Sequence, residues 1–276
     1  MAEPLELSDA RARVLEQIQP DAGLEKVTLL EAHGRSLAAE ICADGPWPAT
    51  DRSAMDGFAI AAGDDGVRAG DQFEVLGDSL AGRPFGAAVA AGKAIRIMTG
   101  AVVPAGATTV VPVENTSGYE GEVVKIEAAV AAHSNIRLCG SERSAGSVVL
   151  PAGSRLGAAE VGVLAVLGHH QVDVRRQPKV AIVATGDEVV PVEQTPAPHQ
   201  VRESNSWALA AQVQECGGVA SRLGIAPDER DGLRAMLSTA LADADVVLTI
   251  GGISKGTHDL VQETLEDLGV RTDFHG

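Results

Sequence analysis

Apolar residues follow different rhythms in different parts of the chain. Between Ser8 and Pro20, Ala10, Val14, Leu15 and Ile18 recur at helical spacing, which predicts a first helix capped by Ser8 and ended by Pro20. The pattern from Val27 to Cys42 is mixed and predicts no definite element. A turn-rich segment, DGPWPATDRSAMDG, leads into residues 58–150, where short runs are broken by glycine. Gln72–Leu76, Lys93–Met98, Thr109–Val113 and Glu122–Ile126 read there as strands of a β-rich domain. Helical spacing returns with Leu156, Val161, Leu164 and Leu167 on one face, which Gly168 can close, and Arg175, Arg176 and Pro178 mark a boundary.

From Lys179 the rhythm changes again. KVAIVAT, VASRLGIA and DVVLTIGG are short apolar runs that suit strands buried on both faces. Between and after them lie three helical segments. The first is capped by Ser204 or Asn205 and ended by Gly217; the second has Leu233, Met236, Leu237 and Leu241 on one face; the third is HDLVQETLEDLG. Strands alternating with helices predict a parallel sheet with right-handed crossovers. The fold class expected is therefore multidomain, α/β plus β, and RTDFHG at the end starts a further strand of an incomplete doubly wound layer.

Composition narrows the possible functions. The 276 residues carry 22 Lys+Arg against 38 Asp+Glu, a net charge of −16, which disfavours nucleic acid as a partner. No apolar run approaches the ~18 residues of a membrane helix, and the first residues lack the basic start and apolar core of a signal peptide, so a soluble cytoplasmic protein is expected. Aromatic residues are 3% of the chain, leaving Ala, Val, Leu and Ile to fill the core. Cys42, Cys139 and Cys216 are far apart, without metal-ligand spacing, and are expected to be reduced and buried.

Candidate chemistry gathers at two strand ends. One apolar strand runs into Thr185, Gly186, Asp187 and Glu188; another runs into Gly251, Gly252, Ile253, Ser254, Lys255, Gly256, Thr257, His258 and Asp259. Ligands of open α/β sheets bind beyond such carboxyl ends, and a glycine-rich turn opening a helix offers N–H groups to an anion. The spacing matches neither a Walker A loop nor GxGxxG. Asp187, Glu188, Asp228 and Asp259 fall on the same edge. Acids beside a phosphate call for a divalent cation, and Mg²⁺ suits one or two carboxylates plus phosphate oxygens; helix capping by Asp228 and Asp259 is the plainer alternative. In the β-rich half, Ser53-Ala54-Met55-Asp56-Gly57-Phe58, Ile97-Met98-Thr99-Gly100-Ala101 and Gly140-Ser141-Glu142-Arg143 place polar groups on turns.

Taken together the motifs resemble the molybdopterin molybdenumtransferases, the MoeA family, whose relatives include the gephyrin E domain. SAMDGF is similar to SAMDG[YF], IMTGAVVPAGATTVVPVEN to MTGAxxPxGADxVVxxE, and NIRLCGSERSAGSVV to N[IV]RxxGEDxxxG. VAIVATGDEVV is similar to STGDEL, RESNSWAL to a DSNS motif, and GGISKGTHD to GGxSxGxxD. All six occur in family order across nearly the whole chain.

The resemblance implies an elongated linker and dimerisation domain (1–44 and 145–175), an inserted β-rich domain (45–144) and a partial molybdopterin-binding-like α/β domain (176–276). It implies insertion of molybdenum from molybdate into adenylylated molybdopterin with release of AMP, dependent on Mg²⁺. The site would lie between the subunits of a homodimer, with the pterin nucleotide as its small-molecule partner and the molybdopterin adenylyltransferase as a candidate protein partner. Carried over by motif, the catalytic residues are Asp56, Thr99, Glu142, Glu188, Asp228 and Asp259, with Asp228 and Asp259 on the metal. Ser53, Thr185, Gly186, Asp187, Gly251, Gly252, Ser254 and Gly256 would bind substrate. The alternatives are a non-catalytic scaffold of the same family and a molybdopterin adenylyltransferase, although the latter needs no β-rich half. Departures from the family pattern are Glu142 in place of Asp, Thr108 in place of Asp, and Lys255 and His258. The family also continues past DFHG into a PGxP loop and a C-terminal β-barrel, so the chain is expected to be a shortened member.

Overall fold

The computed structural model describes residues 5–18, 23–227, 229–251 and 260–274. Two compact units divide the chain: Glu40–Pro151 forms one, and Met1–Ala39 with Ala152–Gly276 forms the other.

The Glu40–Pro151 unit is built on a five-stranded sheet. Thr109–Pro112, Gly57–Ile60, Lys93–Ile97, Gln72–Ser79 and Val123–Lys125 lie side by side in that order. Every pairing is antiparallel except Gln72–Ser79 with Lys93–Ile97. The four strands expected from the pattern are present, and the first runs on to Ser79. Gly57–Ile60 was not among the strands that the pattern named. It is buried at all four positions, so it shows no alternation to read. Side chains of successive strand residues point to opposite faces. Phe58 and Ile60 thus join Val67, Val111, Val124 and Ile126 on one side, while Ala59 joins Ile95, Ile97 and Val110 on the other.

In the second unit, Leu24–Thr28 pairs antiparallel with Gln171–Arg175, from Leu24↔Arg175 to Thr28↔Gln171. Val172 and Val174 alternate inward and Leu37 packs among the buried residues, so part of the mixed Val27–Cys42 segment is core. Helix α1 spans Leu7–Gln17 with Glu6, not Ser8, at its N-cap, because the Asp9 and Ala10 N–H groups both donate to the Glu6 carbonyl. None of its residues is buried. Helix α2, Ala158–Val166, places Leu164 inside with Leu156 and Leu167, as its spacing predicts. The Gly157 N–H at its start donates to Glu160 at 2.9 Å.

The α/β part has three parallel strands, ordered Val219–Ala226, Lys179–Thr185, Val246–Ile250. The central strand is buried from Val180 to Thr185. Helices α3 (Asn205–Glu215), α4 (Arg230–Asp243) and α5 (Leu260–Asp267) complete the expected alternation. Leu233, Leu237 and Ala240 of α4 pack with Ala181, Val183, Ala226 and Val261. Leu241, expected on that face, is exposed; Ala240 faces the core in its place, because a helix turns about 100° per residue. The α4 cap is Glu229, whose carboxylate accepts from the Gly232 N–H at 3.0 Å; Asp228 lies outside the described residues. The three cysteines are exposed, not buried, since each sits at an element end or in a loop. Among the described residues no helix is long and apolar enough to cross a membrane.

Asp245, just before the third strand, holds two strand starts together. Its carboxylate accepts from Arg176 Nη1 and Nη2 at 2.8 and 2.9 Å and from the Lys179 N–H at 2.7 Å. The Arg176 hydrogen bonds, then that of Lys179, lower its pKa to about 2. A depressed carboxyl pKa stabilises fully above the unfolded value near 3.9 and loses that contribution as pH falls to the folded value. Wild type is therefore expected to be more stable than Asp245→Asn at pH 5, with the gap closing between about pH 4 and 2. Urea unfolding of both proteins across that range measures it; a constant gap would contradict the assignment.

Candidate functional site

In the β-rich unit, antiparallel pairing decides which polar groups meet. Gly57 pairs with Ile97, so Asp56 comes opposite Met98 and beside Thr99, at one end of adjacent strands. Asp56 Oδ1 accepts from both the Thr99 N–H and the Thr99 hydroxyl, each at 2.6 Å. The hydroxyl, then the N–H, holds the Asp56 carboxyl below its ordinary value, so it is ionised at neutral pH. Both residues are exposed. Ser53 is buried, and its hydroxyl donates to the Met55 carbonyl at 2.6 Å, so it shapes the turn that presents Asp56. The approach to Gly57 is close: a Cβ there would lie 2.0 Å from the Val111 carbonyl oxygen.

Arg52 Nη1 donates to the Gly100 carbonyl at 3.0 Å and pins the Thr99 turn. Arg52 also pairs across a short ladder with Arg137, which forms an exposed ion pair with Glu142 at 3.7 Å. Glu142 does not join the Asp56–Thr99 pair. Tyr119, the only tyrosine of the chain, went unread in the sequence. Its ring packs 5.6 Å from Phe58 and its hydroxyl is buried without a hydrogen-bond partner among the described residues. Burial first, then the charges of Asp56 and Glu114, raise its pKa, which places it within the field of Asp56. Its rarity in a chain so poor in aromatics is the signal that could have found it.

In the other unit, parallel pairing brings the ends of neighbouring strands to one edge. Thr185 Oγ1 donates to the Ile250 carbonyl at 3.2 Å. Gly251 follows with φ +86°, and a Cβ there would lie 2.8 Å from the Thr185 carbonyl oxygen, so glycine fits both the backbone and the space. The Glu188 carboxylate folds back over Gly186, whose added Cβ would be 2.7 Å from Oε2. Asp187 and Glu188 are exposed, and the Glu188 carbonyl accepts from the Val201 N–H at 2.8 Å. Thr185, Gly186, Asp187, Glu188 and Gly251 thus share the strand-end edge at which open α/β sheets bind ligands. Gly252, Ser254, Gly256 and Asp259 lie outside the described residues, as do Lys255, His258 and Asp228. Among the described residues no group of three or more His, Cys, Asp or Glu comes together as a metal centre. The exposed carboxylates of Asp187 and Glu188 are hard oxygen donors of the kind Mg²⁺ takes.

A parallel α/β layer with acids and glycine at its strand ends, in a chain that also carries a separate sheet unit, defines a multidomain α/β plus β protein whose strand-end edge is of the kind at which open sheets receive ligands. Residues 5–168 match the MoeA N-terminal region, domains I and II, and residues 181–276 match a probable molybdopterin binding domain. The chain belongs to the MoeA family. It is 38% identical over 250 residues to a molybdopterin molybdenumtransferase of Nostoc sp., covering 90% of this chain and 57% of that protein. With the protein of the same name from Bacillus subtilis it shares 34% identity, over 99% of this chain and 64% of the relative. A crystal structure described as the molybdopterin biosynthesis moeA protein of Pyrococcus horikoshii superposes with a TM-score of 0.80 at 32% identity, over 88% of this chain and 65% of that one. The chain therefore spans roughly three fifths of the length of the curated relatives it matches.

Proposed function

We propose that the protein acts in molybdenum cofactor biosynthesis, transferring molybdenum from molybdate into adenylylated molybdopterin with release of AMP. The observation that carries this reading is the family match across both units, together with the Asp56–Thr99 pair at the position of the SAMDG and MTGA motifs. In this reading Asp56, kept ionised by Thr99, accepts a proton or a hydrogen bond from an N–H or O–H group of the pterin. Glu188, Asp187, Thr185 and Gly251 form the rim that receives the phosphate end. Mg²⁺ would be held by Asp228 and Asp259, and would offset phosphate charge as the anhydride breaks. A homodimer places the β-rich unit of one protomer against the α/β part of its partner. The molybdopterin adenylyltransferase would deliver the substrate.

The test measures AMP release and molybdenum incorporation from molybdate and adenylylated molybdopterin, with a full-length relative as positive control. Asp56→Asn is expected to lower turnover about 10²-fold or more, the scale of a lost acid–base group, while Thr99→Val lowers it less. Full turnover in Asp56→Asn would sink the assigned role. Substrate binding without turnover in the unsubstituted chain would favour the non-catalytic binding alternative.

A further inference from the structure

Away from the two strand-end groups, the second unit holds a small pocket of about 130 Å³ lined by Arg35, Arg155, Arg175 and Arg176, with Cys216 and Gly217 at the end of α3 on its wall. Four guanidinium groups around one cavity stand out in a chain whose acids outnumber its bases 38 to 22. Among the described residues, only two of the four meet a carboxylate. Arg35 Nη2 bonds Glu25 at 2.5 Å, and Arg176 grips Asp245. Arg155 reaches only the Glu215 carbonyl, at 3.5 Å, and Arg175 has no carboxylate partner among the described residues. The pocket is also built from within. The Arg35 side chain is only 10% exposed, and its Nε is buried without a hydrogen-bond partner among the described residues. A buried donor without an acceptor is costly, and guanidinium groups stay charged at any working pH.

We infer that this pocket binds a tetrahedral oxyanion, with Arg155 and Arg175 supplying charge at the mouth and Arg35 a donor from the buried side. The lining decides the class of ligand: guanidinium donors around a cavity of about 130 Å³ suit a compact, multiply charged anion such as phosphate, sulfate or molybdate. Neighbouring backbone fixes the arginines: the Arg175 N–H donates to the Ser36 carbonyl at 2.8 Å, and Ser36 bridges to Arg155. The site is separate from the edge formed by Thr185, Glu188 and Gly251, and it stands whether or not the molybdenum-transfer reading holds.

The test titrates the chain at low salt with inorganic phosphate, sulfate and molybdate separately, by calorimetry. Saturable binding is expected, and the tightest of the three names the source. The double variant R155Q/R175Q changes two exposed side chains and is expected to weaken binding at least about tenfold, the scale of losing one charge-assisted hydrogen bond. A second readout needs no variant. Alkylation of Cys216, followed by peptide mapping, is expected to slow when the anion is bound, while the exposed Cys42 and Cys139 of the other unit serve as unaffected controls. Failure to saturate at millimolar concentration with all three anions, or binding that neither R155Q/R175Q weakens nor Cys216 protection reports, overturns the inference.

Discussion

Gly57→Ala is expected to unfold the five-stranded sheet of the β-rich unit. The added methyl carbon would lie 2.0 Å from the Val111 carbonyl oxygen and 2.9 Å from the Val113 nitrogen, both of them backbone atoms with no rotamer to give way. Gly57 pairs with Pro112 on one side and with Ile97 on the other, so the strand cannot shift without breaking both ladders. Overpacking against backbone costs about 3 kcal/mol or more, a large share of the stability of one domain. Gly45→Ala, in the same unit but with open space around its Cβ position, is the control and should stay within about 0.5 kcal/mol of wild type. Hydrogen exchange at Gly57–Ile60 and Lys93–Ile97 reads both variants. Protection in Gly57→Ala equal to that of Gly45→Ala would refute the packing argument. Because the turn ending at Gly57 presents Asp56, the same variant should also release Thr99 from its carboxylate.

The second large effect is expected at Glu203. This carboxylate is 6% exposed and accepts from the Ser206 N–H at 2.7 Å, from the Ser206 hydroxyl at 2.5 Å and from Arg222 at 3.5 Å. Arg222 in turn donates to the Ser206 hydroxyl at 2.7 Å and lies 3.5 Å from the Trp207 ring centroid. Burial pushes the carboxyl pKa up, but the Ser206 hydrogen bonds and the Arg222 charge outweigh it and leave the pKa below its usual value. Glu203→Ala strands the Ser206 donors and a half-buried guanidinium, at a cost of about 2–3 kcal/mol. Glu203→Gln keeps an acceptor and should lose less. The carboxylate stabilises fully above the unfolded glutamate value near 4.3, so the gap between wild type and Glu203→Ala should shrink as pH falls below it. Loss of hydrogen-exchange protection in α3 and Val219–Ala226, with the β-rich unit unchanged, is the expected pattern. Unchanged protection in α3 would show that the network contributes little.

The α/β part was the most legible in the sequence. KVAIVAT and VASRLGIA are strands over the residues their apolar runs mark, and the helices between strands fall close to the expected bounds. Local steric preference and burial on both faces suffice there. Caps were less legible. Ser8 has the favoured residue type, yet Glu6 stands at the first cap position; Ser204 does hold the cap position of α3, as expected, but the side chain that accepts there is Glu203, one residue earlier. A cap depends on which side chain the entering backbone turns inward. The site was legible by motif and not by physics alone: Asp56 and Thr99 could be named separately, but nothing local says that they touch.

By itself, then, the amino-acid order determined the alternating strands and helices of the α/β part, the strand-end placement of Thr185, Glu188 and Gly251, and the family to which the chain belongs, because each depends on neighbouring residues or on motif order. Tertiary structure alone decided that Leu24–Thr28 pairs with Gln171–Arg175 and that Asp56 lies against Thr99, 43 residues on. It also decided that Arg35, Arg155, Arg175 and Arg176 share one cavity. Those meetings depend on strand register and on burial of side chains distant in the chain, which no local pattern encodes.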